Sequence, residues 1–178
     1  YYTKMKLPEP LVPALQALSL LKGQTALVTG ANSGIGRAIA VSLGRAGANV
    51  VVNYVVKPED AEAVVVEIQG GGGHAVAIRA DVGDEAQVVA MFAEAVKAFG
   101  TVDILVSNAG MERNAPFHEM TTAQWDAVMN VNLRGAFLVT QAALPHLRAT
   151  KGYVVNLASI AGTLPTPGLG AYGASKAA

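Results

Sequence analysis

Tyr172 and Lys176 stand four residues apart near the end of this 178-residue chain, a pairing that could do proton chemistry. At that spacing they share one face of a helix. A free tyrosine ionises near pH of about 10, too high for a good base near neutrality. A neighbouring ammonium favours the phenolate and lowers that value. Tyr172 could then take or give a hydroxyl proton while a hydride moves elsewhere. Ser159, thirteen residues upstream, ends a short apolar run, where its hydroxyl could hold a substrate oxygen. Asn132, flanked by Val131 and Leu133, could hold a water or a main-chain group. Each has a plainer alternative when taken singly. A Tyr/Lys pair is usually a surface helix pair, and a lone Asn is usually a buried structural amide. The signal lies in their joint occurrence and order.

A hydride donor is suggested far upstream. Thr29-Gly30-Ala31-Asn32-Ser33-Gly34-Ile35-Gly36 follows a β-branched run and opens a helical pattern. Gly30 permits a tight turn, Gly34 lets a pyrophosphate approach backbone N–H groups at a helix start, and Gly36 allows close helix–strand packing. The spacing G-x-x-x-G-x-G is not the common G-x-G-x-x-G dinucleotide fingerprint, and an ordinary glycine-rich turn is the alternative. Asp81-Val82 follows the third strand and reads alone as a turn or helix cap. Ser107-Asn108-Ala109-Gly110 follows the fourth, where ligands bind parallel sheets, or where a turn needs Asn and Gly.

Cofactor choice turns on the end of the second strand. An acid there would accept from ribose hydroxyls and repel a 2′-phosphate. This chain has Asn53, Tyr54 and Val55, with no acid until Glu59. Ser33, not a basic residue, stands before Gly34, and Arg37 and Lys57 are the nearby cations. The expectation is NADP(H), with NAD(H) or dual use open.

The elements that must position these groups alternate. Strands are expected at 25–29, 49–54, 74–80, 102–107 and 152–158. Helices are expected at 34–46, 58–69 and 84–99, over 122–148 with a kink near Pro145, and from about Ala171. Gly162 to Gly170 reads as a Pro/Gly loop. Such alternation predicts a parallel α/β sheet with right-handed crossovers. The composition agrees: 52% hydrophobic, 15% charged and 19 glycines suit a sheet covered on both faces. Thirteen basic residues balance thirteen acidic ones, which favours neither nucleic acid nor an anionic membrane. With no cysteine there are no disulfides or thiolate zinc sites, and His74, His118 and His146 lack metal-ligand spacing.

Residues 1–22 read as an N-terminal extension to a domain at 23–178. Leu11 to Leu21 is apolar but broken by Pro13. It is too short to span a bilayer, which takes about 20 residues. It lacks a small-residue cleavage pattern, so a surface strap is preferred to a signal peptide. Met5 could be the native start. A cytoplasmic location is the default expectation.

The set Thr29-Gly30-x-x-x-Gly34-x-Gly36, Asp81, Asn108-Ala109-Gly110, Asn132, Ser159 and Tyr172-x-x-x-Lys176 resembles the short-chain dehydrogenase/reductase family, from about Gln24 onward. The resemblance implies a Rossmann-type doubly wound parallel sheet of strand order 3-2-1-4-5. It implies Tyr172 as acid/base, Lys176 as the group that lowers its pKa and binds the nicotinamide ribose, Ser159 as the carbonyl-orienting hydroxyl, and Asn132 as the holder of a relay water. It implies cofactor contacts from Gly30, Asn32, Ser33, Gly34, Ile35, Gly36 and Tyr54, from Asp81 and Val82 near adenine, from Asn108, Ala109 and Gly110, and from Tyr172 and Lys176. Ser107 stands where many members carry a second Asn. Val50 to Tyr54 with Lys57-Pro-Glu-Asp looks like glucose dehydrogenases and oxoacyl carrier-protein reductases.

Family members continue after this lysine with two more strands and a substrate-covering lid. The chain is therefore expected to be a fragment of a longer gene product, missing its last strands, with Tyr153 to Leu157 left as an apolar edge. As given, it would bind cofactor weakly and turn over poorly. The leading function is an oxidoreductase interconverting a secondary alcohol and a ketone or aldehyde, such as a sugar or oxoacyl compound, in a homodimer or homotetramer. Phe117, His118, Trp125 and the 164–168 loop would flank the substrate. A non-catalytic nucleotide-binding or regulatory protein is the alternative, which an unchanged role for a Tyr172→Phe variant would favour. A structural or interaction domain is a third, which an absence of nucleotide binding would favour.

Overall fold

The computed structural model describes residues 19–178. Its strands are β1 (Thr25–Val28), β2 (Asn49–Tyr54), β3 (His74–Arg79), β4 (Ile104–Ser107) and β5 (Tyr153–Asn156). Its helices are α1 (Gly34–Arg45), α2 (Pro58–Gly70), α3 (Glu85–Phe99), α4 (Thr122–Met129), α5 (Gly135–Thr150) and α6 (Gly170–Ala177). All neighbouring strands pair in parallel, in the order β3-β2-β1-β4-β5. The strand order expected from the sequence is the one observed.

Strand periodicity of two divides the core. Ala26, Val28, Val50, Val52, Ile104 and Val106 face one layer, where they pack with Ala40, Val41, Val64 and Ile68 of α1 and α2. Leu27, Val51 and Leu105 face the other, with Val88, Met91 and Phe92 of α3 and Leu138 and Leu147 of α5. Near-continuous Val/Ile/Leu runs are what a doubly covered strand requires. Close helix packing sets two glycines. A Cβ on Gly44 would meet Ile68 Cγ2 at 2.7 Å, and one on Gly135 would meet Val82 Cγ2 at 2.7 Å.

The helix starts follow their side chains. Asp84 caps α3 by accepting from the Gln87 N–H, and Gly100 ends that helix at φ 85°. Thr121 and Gln124 form a reciprocal capping box at α4. Pro58 occupies the first turn of α2, where its missing N–H costs nothing.

The expected single helix over 122–148 is corrected. The α pattern breaks at Asn130–Arg134, which opens into a π turn between α4 and α5. Pro145 lies inside α5 without ending it. The break is thus set by what Asn132 binds, described below, rather than by proline.

β5 departs from the other strands, because all four of its residues are exposed. The expected extension at 1–22 and the strap over Leu11 to Leu21 lie mostly outside the described residues. Of that stretch, the Leu21 N–H donates to the Ala46 carbonyl at 2.9 Å, and its side chain packs on the α1/α2 layer. No helix among the described residues is long and apolar enough to cross a membrane.

Candidate active site

Site residues collect at the carboxyl ends of β1, β4 and β5. The glycine turn after β1 is held by three polar side chains. Thr29 Oγ1 accepts from the Asn108 N–H at 3.0 Å and the Ala109 N–H at 2.9 Å. Asn108 Nδ2 donates to the Thr29 carbonyl at 2.8 Å and the Gly30 carbonyl at 3.1 Å. Asn53 Oδ1 accepts from the Gly30 N–H at 3.1 Å, while its Nδ2 donates to the Ile78 and Ala80 carbonyls at 3.3 and 3.0 Å. Asn32 Nδ2 donates to the Val56 carbonyl at 3.1 Å, joining the turn to the β2–α2 loop.

The turn's shape fits a phosphate. Gly30 and Gly34 take φ 61° and 54°, in the left-handed region that favours glycine. Nothing lies within 4 Å of a Cβ built on Gly34, so that backbone faces open space. Gly36 has the opposite need: a Cβ there would fall against the Gly30 carbonyl and 2.5 Å from Asn108 Nδ2. Ser33 precedes α1 without capping it through its side chain. Exposed first-turn N–H groups at the positive end of a helix are anion-binding groups. Ser33 and Ile35 are exposed beside them.

Asp81 Oδ1 accepts from the Gly83 N–H at 2.8 Å, which tightens the turn after β3. Val82 is buried and packs on Gly135, so its side chain serves the core. Tyr54 is half-buried, with its ring on the α1/α2 layer. Arg37 donates to Glu67 at 2.9 Å, and Lys57 lies 3.9 Å from Asp60. Both cations weighed for cofactor choice therefore already face carboxylates.

Tyr172 and Lys176 lie one turn apart on α6. Lys176 Nζ lies 5.9 Å from the centre of the Tyr172 ring and donates to the Leu157 carbonyl at 2.7 Å. Burial holds the Lys176 ammonium below its ordinary pKa of 10.5. A Cβ on Gly110 would lie 3.7 Å from Lys176 Nζ and 3.4 Å from Asn132 Oδ1, ordinary contact distances that place this loop beside both side chains. Ser159 Oγ accepts from the Ala161 N–H at 3.2 Å, which leaves its O–H free to donate.

Asn132 is buried and clamps a main chain. Its Oδ1 accepts from the Met111 N–H at 2.8 Å, and its Nδ2 donates to the Met111 carbonyl at 2.9 Å and to Ser175 Oγ at 3.0 Å. Both amide hydrogens are thereby spent on protein. A relay water would have to use the remaining Oδ1 lone pair or a main-chain group. Ser175 in turn donates to the Tyr172 carbonyl at 2.8 Å, which ties Asn132 to α6.

Phe117, Thr166, Pro167 and Gly170 line a cavity of about 710 Å³ between the loops after β4 and β5, and the Ala115 N–H joins those loops through the Gly168 carbonyl at 3.1 Å. His118 points to Glu119 and is exposed, while Trp125 is half-buried in α4. Sequence reasoning missed Asn53 and Ser175 as supporting residues. The available signals were an amide inside a valine run and a small hydroxyl beside the lysine. Among the described residues, no group of acidic, His or Cys side chains is arranged to hold a metal.

A parallel sheet of this order, with a glycine turn, a Tyr/Lys pair on one helix face and a serine at the end of β5, defines a class. The family model described as short chain dehydrogenase matches residues 24–178, and the chain belongs to that family. The 3-oxoacyl-[acyl-carrier-protein] reductase FabG of Staphylococcus aureus is 46% identical over 155 residues, covering 86% of this chain and 63% of that protein. The protein of the same description from Staphylococcus epidermidis is 44% identical, covering 86% and 64%. A crystal structure of a dehydrogenase/reductase from Sinorhizobium meliloti superposes with a TM-score of 0.86 at 44% identity, covering 91% of this chain and 64% of that one. The chain thus spans a little under two thirds of the length of these relatives.

Proposed function

We propose that this chain carries the nucleotide site and proton-handling groups of an oxidoreductase. In this reading NADPH reduces a ketone, with a 3-oxoacyl thioester as the favoured substrate class. The observation that carries the reading is the Tyr172–Lys176 pair on one face of α6, with the lysine amine held by the Leu157 carbonyl. The names of the reductase relatives support the substrate class.

The open backbone of Gly34 and the exposed start of α1 suit the pyrophosphate. The nicotinamide, when bound, supplies the hydride that goes to the carbonyl carbon. Ser159 donates its free O–H to the carbonyl oxygen and stabilises the charge developing there. Tyr172 gives its phenolic proton to that oxygen and is left as phenolate. The Lys176 ammonium, held by the Leu157 carbonyl, favours that phenolate by charge. Asn132 keeps the Met111 main chain and α6 in register around these groups. The same reading carries a small-molecule carbonyl or alcohol substrate and a homodimer or homotetramer of the full-length protein.

Two measurements test it. Calorimetric titration with NADPH and NADH should show saturable binding, stronger for NADPH. An assay following NADPH oxidation with a short 3-oxoacyl thioester should show turnover that Tyr172→Phe lowers by a factor on the order of 10² or more. Nucleotide affinity should stay unchanged in that variant. Undiminished turnover in Tyr172→Phe, or no nucleotide binding by the unmodified chain, would reject the reading.

A further inference from the structure

We infer that Arg79, at the end of β3, is the residue that selects the adenosine 2′-phosphate; this rests on the nucleotide reading above. In parallel sheets of this kind the adenosine ribose lies at the end of the second strand, where an acid accepts from its hydroxyls or a nearby arginine accommodates its phosphate. The end of β2 here is Tyr54, and no acid follows before Glu59. Neither of the nearby cations is free of a carboxylate. Arg37 is bound to Glu67, which Arg45 also approaches at 3.4 Å, and Lys57 faces Asp60.

Arg79 is placed differently. It is the register partner of Tyr54 across the β2–β3 ladder. Partners in register project to the same face, and successive residues alternate. Ala77, two residues earlier, packs on the α1/α2 layer that also takes the Tyr54 ring, so Arg79 leaves the sheet on that face. Its Nε donates to the Val55 carbonyl at 3.0 Å, one residue beyond Tyr54. That bond fixes the guanidinium across the end of β2 from the neighbouring strand. Its terminal amino groups stay available, and the side chain forms no ion pair among the described residues. A planar fork held this way matches the two-oxygen edge of a phosphate. Tyr54 is the floor beneath it rather than the source of specificity.

The test is calorimetric titration of the unmodified chain, Arg79→Ala and Arg79→Lys with NADPH and with NADH. Removing a charge-assisted contact should weaken NADPH about tenfold or more in Arg79→Ala and leave NADH within about twofold. Arg79→Lys should recover part of the NADPH affinity, as a point charge without the fork. The NADPH advantage of the unmodified chain should also shrink with added salt, since the pair is exposed. Equal losses for both nucleotides would make Arg79 merely structural and overturn the inference, as would unchanged NADPH affinity in Arg79→Ala. An unmodified chain that prefers NADH would overturn it while leaving the nucleotide site in place. Binding of neither nucleotide by the unmodified chain would overturn the parent reading and this inference with it.

Discussion

The two sides of the sheet are built to different standards. On the β2–β1 side the strands are buried on both faces, and Asn53, Thr29 and Asn108 bond the glycine turn to three strands at once. On the β4–β5 side, β5 has one neighbour and four exposed residues, and an open cavity of about 620 Å³ runs beneath Lys176 beside exposed Phe137 and Leu144. The β2–β1 half, where the nucleotide is proposed to bind, thus carries its own rigidity. Ser159, Tyr172 and Lys176 sit beside the exposed β5, with α6 tied to the Leu157 carbonyl and to Asn132 through Ser175. Binding and turnover should therefore separate under mutation.

The strongest way to break the tight half is Gly36→Ala. The added Cβ has no space between the Gly30 carbonyl and Asn108 Nδ2. Overpacking of this kind costs about 1–3 kcal/mol, and here the backbone that must shift is the glycine turn proposed to hold the pyrophosphate. Denaturant titration should show the loss of stability, and calorimetry should show NADPH binding abolished. An unchanged midpoint with intact binding would mean that the turn is looser than its contacts imply.

A matched pair of truncations then compares the two sides directly. Val51 is fully buried in β2, whereas Val154 is 38% exposed in β5. Val51→Ala should cost roughly 2 kcal/mol from lost burial and the cavity left behind. Val154→Ala should stay within about 0.5 kcal/mol, as surface changes do. Equal costs in denaturant titration would show that β5 is covered in solution and that the asymmetry is only apparent.

This asymmetry also explains what could be read from the sequence. The parallel α/β class followed from β-branched runs alternating with helical ones, because periodicity reports burial, whereas the strand order 3-2-1-4-5 was what the family resemblance implied. The glycine turn and the Tyr172–Lys176 pair were legible because local spacing alone fixes their geometry. Asn53 was not, since one amide in Val50 to Tyr54 leaves the alternation unchanged while its partners, Gly30, Ile78 and Ala80, lie elsewhere in the chain. The π turn at Asn130–Arg134 was hidden for a related reason. Asn130, Val131 and Asn132 are weak helix formers but include no Gly or Pro to mark a break, and the clamp that Asn132 makes on Met111 comes from another element. Pro145 carried the only local sign of a break, and it pointed to the wrong place. Arg79 escaped notice because its importance is a cross-strand register, which no single segment records.

The smallest expected effect probes whether the tight half owes anything to exposed charge. Asp84 caps α3, whose Val88, Met91 and Phe92 pack beneath β1 and β2. The Gln87 backbone N–H, aided by its side-chain amide, holds the Asp84 carboxyl below its ordinary value of 3.8. A lowered folded-state pKa means that the unfolded chain binds the proton more readily. The cap's contribution is therefore fully present above 3.8 and fades as pH falls through the lower folded-state value. Asp84→Ala should lower the thermal midpoint slightly at neutral pH, and the gap from the unmodified chain should close in acid. Because the carboxylate is solvent-exposed, the gap at neutral pH should be smaller than that of Val51→Ala. A gap that stays constant into acid would show that the residue acts through helix shape rather than charge. The stability of the tight half would then rest on burial and neutral hydrogen bonds alone.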